Sequence, residues 1–279
     1  MKNSKLFQKN AIIVGAGGGI GREIANLFDK YEMQIIISDL NMDSLKSIEN
    51  ELKTEVYSFQ CDITDKTQIE SLFMFALEKF NNIDILVNCV GIIHPSLFED
   101  TTYQEIQQQI NVNLMGTINL LKEVLPLMKK AEKGHIVILS SLAGIVPETY
   151  SSIYTATKFA LRGLDLTLNL ELRGENIAIS TIFPDSVDTP MLEFEAEHGG
   201  SPLTFLDDPV PATAVAKAVK RAIEKNKAEV CVPRSQGCLS KFLMCFPKIV
   251  KWLWPKLEKK GEKKKQNYLD NLKSKNSDL

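Results

Sequence analysis

The 279-residue chain is predicted to fold as a doubly wound α/β domain, a mostly parallel seven-stranded sheet with helices on both faces. Three observations predict it. Seven short runs rich in β-branched residues recur along the chain. Amphipathic stretches of helical length separate them. Most of the runs are apolar without alternation, as strands covered on both faces are.

AIIVG at 11–15 opens the series and runs into a glycine cluster and a helical pattern near 20–31. QIIIS at 34–38 leads to Asp39 and a helix near 42–53. VYSFQC at 56–61 precedes a helix near 65–80, and DILVN at 84–88 precedes a long pattern near 102–130. HIVILS at 135–140 is followed by a helix near 152–173. AISTIF at 178–183 and EVCV at 229–232 complete the set, with a helix near 211–225 between them. Each run suits a strand and is too short for a helix, and this order implies parallel pairing through helical crossovers. A catalytic domain over 1–233 and a lysine-rich, apolar extension over 234–279 are expected.

Composition narrows the function. Apolar residues make up 44% and charged residues 24%, as in a globular protein, and a net charge of −2 gives no reason to expect nucleic acid. The charge is uneven: 241–279 carries eleven lysines against four acids, so +7, leaving −9 for the other 240 residues. The polar start MKNSKLFQKN lacks the apolar run of a signal peptide. Five cysteines without a CxxC pair read as free thiols in a reducing, cytoplasmic compartment. Three isolated histidines offer no metal cluster, and His135 at a strand entrance reads as structural.

The first strand runs into VGAGGGIGRE, with glycines at 15, 17, 18, 19 and 21. Such a turn brings backbone close to a pyrophosphate, and the following helix N-terminus supplies N–H donors and partial positive charge. The spacing that fits is Gly15-x-x-x-Gly19-x-Gly21, because Ile20 stands where the common dinucleotide fingerprint needs Gly or Ala. Asp39 ends the next strand 18 residues beyond Gly21. Its carboxylate can accept from the adenosine ribose hydroxyls and would repel a 2′-phosphate, which favours NAD and leaves NADP as the second choice. Its alternative role is to cap the helix starting near Met42.

YTATK at 154–158 places Tyr154 and Lys158 one helical turn apart. With the glycine turn and Asp39, the motifs resemble the short-chain dehydrogenase/reductase family over roughly 8–233. Asp62 and Ile63 in CDITD resemble the family's adenine contacts. NCVG, with Asn88 and Gly91, resembles its Asn-Ala-Gly segment. Asn113 in NVNLMGT, Ser141 in LSSLAG, Tyr154 and Lys158 match its catalytic set, with Ser140 as the rival of Ser141. The resemblance implies a Rossmann-type fold and a hydride moved between nicotinamide C4 and a carbinol or carbonyl carbon. Tyr154 would move the proton, with Lys158 favouring its phenolate and holding the ribose, since a phenol's reference pKa is about 10. Ser141 would bind the substrate oxygen, and Asn113 would hold a water behind Lys158. The resemblance also implies a homodimer or homotetramer through the helices carrying NVNLMGT and YTATK.

The sequence departs from the family after strand 6. FPDSVDTPM keeps Pro184, Val187 and Thr189 as nicotinamide contacts, but Asp185 replaces a glycine. Residues 190–210 should form a mobile substrate lid hinged at Gly199-Gly200. Phe194, Leu203, Phe205 and Leu206 either line an apolar pocket or pack the lid onto the body. The tail, broken by Pro247 and Pro255, is too interrupted to span a bilayer. It either lies on the inner face of a membrane through 238–265 or packs on protein with only KKGEKKK solvated. The leading expectation is an NAD-dependent oxidoreductase of a lipophilic alcohol or ketone, of steroid, retinoid, long-chain or sphingoid type. The alternatives are an NADP-linked reductase of 3-oxoacyl or sugar-type carbonyls and a non-catalytic, cofactor-sensing, membrane-attached protein.

Overall fold

A computed structural model of the protein describes residues 4–277. Six parallel strands come first: β1 (Asn10–Val14), β2 (Gln34–Asp39), β3 (Val56–Gln60), β4 (Ile85–Asn88), β5 (Gly134–Leu139) and β6 (Ile177–Pro184). A short pair, β7 (Val187–Asp188) and β8 (Val210–Pro211), follows, then β9 (Glu229–Val232). The main sheet has the order β3-β2-β1-β4-β5-β6-β9, with every neighbour parallel. The seven predicted runs and the seven strands agree to within a residue or two. The order reverses between β1 and β4, which opens a crevice at their C-terminal ends.

The helices are α1 (Gly19–Asp29), α2 (Met42–Glu51), α3 (Lys66–Lys79), α4 (Tyr103–Gln109), α5 (Thr117–Lys130), α6 (Ser152–Glu171), α7 (Pro190–Glu197), α8 (Ala212–Lys225), α9 (Arg234–Leu243) and α10 (Pro247–Ser277). Side chains set several starts. Asn41 accepts from the N–H groups of Asp43 and Ser44, Asp65 caps α3 through Thr67 and Gln68, and Thr102 and Glu105 form a capping box. Asn41, rather than Asp39, is thus the cap of α2.

Adjacent strand residues face opposite layers. Ile13, Ile35 and Ile37 join a core with Phe28 and Val219, while Ile12 and Ile36 join one with Phe73, Leu86 and Leu121. Both faces being apolar is why the runs show no polar alternation. Each such burial is worth roughly 1.5–3 kcal/mol.

Two expectations fail in detail. The pattern over 102–130 is not one regular helix: a π-helical stretch, Ile110–Gly116, separates α4 from α5. Its wider turn carries Asn113 inward to full burial. The tail is not broken at Pro255. Pro247 begins α10, where a missing N–H costs nothing, and α10 runs on through Pro255. The Lys251 carbonyl loses its partner there, but both residues are exposed and water can serve it.

Nor is the KKGEKKK stretch simply solvated: Gly261 and Lys265 are buried. A Cβ on Gly261 would overlap Pro202, and Phe205 packs on Tyr268 with ring centroids 5.5 Å apart. Lys264 Nζ donates to the Leu206 carbonyl and Lys265 Nζ to the Gly200 carbonyl, each at 2.7 Å. Two lysines of α10 thus satisfy backbone carbonyls of the 200–206 segment. Among the described residues no helix is long and apolar enough to cross a membrane.

Candidate active site

The turn after β1 is fixed by the strand beside it. Gly15 and Ala16 donate their N–H groups to the Ser38 carbonyl, and Gly15 has φ +79°. Gly21 packs on this turn so closely that any Cβ would collide with the Gly15 carbonyl. α1 begins after Gly18 with no side-chain cap, which leaves its first N–H groups for a ligand. Asp39 Oδ2 accepts the Gly17 N–H at 2.9 Å, so the acid is held at the edge of the turn. Beside it lies a cavity of about 250 Å³ whose walls include Gly15, Gly18, Asp39, Asp62, Ile63 and Gly91. An uncapped helix start, a turn without side chains and a carboxylate at its rim fit a dinucleotide.

A second cavity, of about 120 Å³, continues along the sheet edge and shares Cys89, Gly91 and Met191 with the first. Ile20, Ser141, Tyr154, Lys158, Pro184, Val187 and Thr189 line it. Lys158 is buried, and its Nζ donates to the Leu139 carbonyl at 3.2 Å and lies 5.3 Å from the centre of the Tyr154 ring. Burial lowers its pKa to about 8. Among the described residues that carbonyl is its one acceptor, so two of its three donors are free for a ligand.

Asn113 sits behind this lysine. Its side chain accepts the Ile92 N–H and donates to the Ile92 carbonyl and to Thr157 Oγ1. Ser141 Oγ accepts the Ala143 N–H at 3.1 Å and bonds the Tyr154 hydroxyl. Ser140 Oγ instead points to the Lys158 carbonyl at 3.5 Å, away from the phenol.

Not every candidate faces the cavities. Asn88 is buried with its amide on Thr117 Oγ1 and the Val90 N–H, where it fixes the loop after β4. Gly17 packs against Asp39, Gly19 against Thr189 and Gly21 against the Gly15 carbonyl. Asp62 does line the first cavity, and its Oδ1 accepts from the N–H and hydroxyl of Thr64.

The phenol departs from the expectation that its neighbours make it acidic. Burial raises the Tyr154 pKa, the charges of Glu148 and Glu195 raise it further, and the Ser141 hydrogen bond opposes them. Lys158 Nζ lies 5.3 Å from the centre of the ring. Sequence reasoning missed Glu148, Glu195 and Cys89 in the cavity wall. Burial raises Glu148 well above a usual carboxylate, raises Glu195 to about 7 and raises Asp185 to about 6. Glu195 bonds Thr204 Oγ1 at 2.7 Å and Asp185 accepts the Ser186 N–H, while Glu148 makes no hydrogen bond among the described residues. No motif marks the first two, because they meet Tyr154 only through the path of the lid and of the loop before α6.

Leu203 and Leu206 line a third cavity, of about 230 Å³, with Leu239, Leu243 and Trp254, and it shares Glu148 and Asp185 with the catalytic one. Phe205 packs against α10 instead, and Phe194 stacks on His198 at the surface. The lid's apolar residues therefore divide between the two expected roles.

Residues 9–199 match the short chain dehydrogenase family. An uncharacterized oxidoreductase of Staphylococcus aureus (strain N315) is 30% identical over 228 residues, covering 81% of this chain and 97% of its own. A short chain dehydrogenase/reductase from Burkholderia phymatum, solved in complex with NAD, superimposes with a TM-score of 0.79 at 23% identity, over 85% of this chain and 93% of that one. ElxO with NADP bound superimposes with a TM-score of 0.72 at 26% identity, over 81% and 96%.

Proposed function

Because the chain belongs to the short chain dehydrogenase family, an oxidoreductase family working with NAD or NADP, we propose that it interconverts a lipophilic secondary alcohol and its ketone, with NAD as the favoured cofactor. One observation carries this reading: Ser141, Tyr154 and Lys158 converge on one cavity that joins the glycine-turn cavity on one side and an apolar one on the other.

The cofactor, when bound, accepts or delivers the hydride. The protein's part is to hold and to move a proton. Gly15, Gly18 and the start of α1 bind the diphosphate, and Asp39 takes the ribose hydroxyls. Asp62, Ile63 and Gly91 border the adenine end, while Ile20, Pro184, Val187 and Thr189 wall the nicotinamide end. Lys158 gives its two free donors to the second ribose. Ser141 holds the substrate oxygen against the Tyr154 hydroxyl, which takes the alcohol proton in oxidation and returns it in reduction. Asn113, fixed between Ile92 and Thr157, keeps Lys158 supplied with a proton path. The raised phenol matches a base that needs the positive charge of the oxidised cofactor before it ionises, which ties proton transfer to the loaded state.

Two choices rest on particular residues. Asp39 at the ribose edge would repel a 2′-phosphate, which supports NAD. The cavity of Leu203, Leu206, Leu239, Leu243 and Trp254 supports a lipophilic substrate over a sugar. Exposed Tyr103, Met115, Leu166 and Leu170 on and between α4 and α6 support assembly as a homodimer or homotetramer through these helices. The same reading has part of 238–265 meeting the inner face of a membrane.

Turnover of a panel of alcohols and ketones with each cofactor, by the parent and by Tyr154→Phe, tests the proposal. Oxidation of long-chain or polycyclic secondary alcohols with NAD, lost in the variant, is expected. Equal rates would remove Tyr154 from the chemistry, and preference for NADPH would overturn the role of Asp39.

A further inference from the structure

α9 and the first turns of α10 expose a row of large apolar side chains. Leu239, Phe242, Phe246, Ile249 and Trp252 are 52%, 63%, 46%, 46% and 65% exposed. They form one face. Leu239 and Phe242 are one turn apart on α9, and the Phe242 and Phe246 rings meet with centroids 5.4 Å apart. Ile249 and Trp252 follow at helical spacing. Single exposed apolar residues are ordinary, but five in a row are not.

Three lysines stand around Trp252. Lys248 and Lys256 stand one turn before and after Trp252, and Lys256 Nζ lies 3.6 Å above its ring. Lys251 is exposed beside them. None of the three makes an ion pair among the described residues. Lys241, by contrast, is bound to Glu229, and Glu258 to Thr149. Residues 241–279 carry +7 and the remaining chain −9, so a negative surface would attract this face and repel the rest.

We infer that the face of Leu239, Phe242, Phe246, Ile249 and Trp252, with Lys248, Lys251 and Lys256, docks on an anionic lipid surface. Apolar rings beside basic chains match such a surface, where the rings enter the boundary and the ammonium groups reach the headgroups. A second copy fits less well, because a two-fold contact through this face would set its lysines against one another.

The docked face is also the side from which substrate enters. Leu239 belongs both to the exposed row and to the wall of the cavity of about 230 Å³. A wider depression of about 530 Å³, lined by Met244, Val250 and Trp254, reaches Glu148 beside Tyr154 from the same side. Further along α10, Lys264 and Lys265 are taken up by the carbonyls of Leu206 and Gly200 rather than free for lipid. This access route rests on the oxidoreductase reading; the docking does not.

Co-sedimentation of the full chain with phosphatidylcholine vesicles, with and without phosphatidylglycerol, tests the docking. The anionic vesicles should take up the protein, and salt should release it. Phe242→Ser with Trp252→Ser, both exposed, should lower the bound fraction roughly tenfold or more, and Lys248→Glu with Lys251→Glu should do the same. Equal binding by parent and variants, or none by the parent, would overturn the inference. So would a sedimentation velocity shift from a larger to a smaller assembly in the Phe242/Trp252 variant, which would put a second copy on this face. Turnover of a water-soluble alcohol without vesicles separates the two readings. If the variants retain it and lose only vesicle-held substrate, both stand. If the parent turns over no alcohol but still binds vesicles, the docking stands and the oxidoreductase reading falls.

Discussion

Two clefts lie at opposite ends of the same parallel sheet, and their charges are settled in opposite ways. The one at the N-terminal ends is the larger, about 320 Å³ against about 120 Å³ at the catalytic end. Its charges are matched: Asp84 pairs with Lys133 at 2.8 Å and Lys9 at 3.8 Å, and Lys129 with Glu175 at 2.8 Å. His135 is neutral there and bonds Ser180 Oγ at 2.8 Å. At the C-terminal ends, among the described residues, Glu148 has no hydrogen-bonding partner and Lys158 Nζ has one carbonyl, and burial works against the ionised form of each. Volume therefore does not set the two ends apart, and neither does burial of a titratable group, since His135 is shifted as well; the difference is that Glu148 and Lys158 are sparsely partnered while the charges at the other end are paired.

Substitutions at the two ends should separate this contrast. The largest effect belongs to Lys158→Met, which keeps the chain length and removes the ammonium. Turnover should fall by about a thousandfold with the Tm little changed, because a buried charge without a strong partner adds little stability. A fall in Tm with turnover intact would make the lysine structural.

Next is Gly21→Val. Its side chain must displace the Gly15 carbonyl, so cofactor affinity, followed by fluorescence of the reduced nicotinamide, should drop about a hundredfold or more. Unchanged affinity would show that this turn does not bind the diphosphate.

Glu148→Gln removes a charge that raises Tyr154. The alkaline midpoint of the oxidation rate should move to lower pH by about half a unit or more. A fixed midpoint with reduced turnover would make Glu148 a packing residue.

The smaller effects lie at the other end. Burial lowers the His135 pKa from 6.5 to about 4. The folded state thus disfavours its proton, and the associated stability is complete above pH 6.5 and is lost as pH falls from 6.5 toward 4. In His135→Gln the decline of unfolding free energy over that window should be shallower, by up to about 3 kcal/mol, and turnover at pH 7 should be unchanged. An identical decline would move the acid sensitivity elsewhere. Lys133→Ala, at a half-exposed ion pair, should cost no more than about 1 kcal/mol in urea unfolding.

The parts of the site read from the sequence are those written in local spacing. Gly15, Gly19 and Gly21 sit in one turn, and Tyr154 and Lys158 on one helical face, so neighbours in the chain are neighbours in space. Ser140 and Ser141 adjoin as well, but only their directions in the fold separate them. Asn113 was legible as a residue but not as a position, because a π-helical stretch leaves no periodic mark that differs from an α-helix. The set of Glu148, Asp185 and Glu195 was not legible: three residues from three segments meet only once the chain has folded.

The sequence by itself determined the seven strands, their burial on both faces, the glycine turn and the Tyr-Lys pair. Each follows from backbone periodicity and from side-chain size at neighbouring positions. The tertiary structure alone decided that α10 continues through Pro255 and packs on residues 200–206, that Phe205 packs while Leu203 and Leu206 line a cavity, and that burial, with two carboxyl groups beside it, raises the phenol. Those outcomes depend on distances and on dielectric surroundings between residues far apart in the chain, and neither exists until the chain has folded.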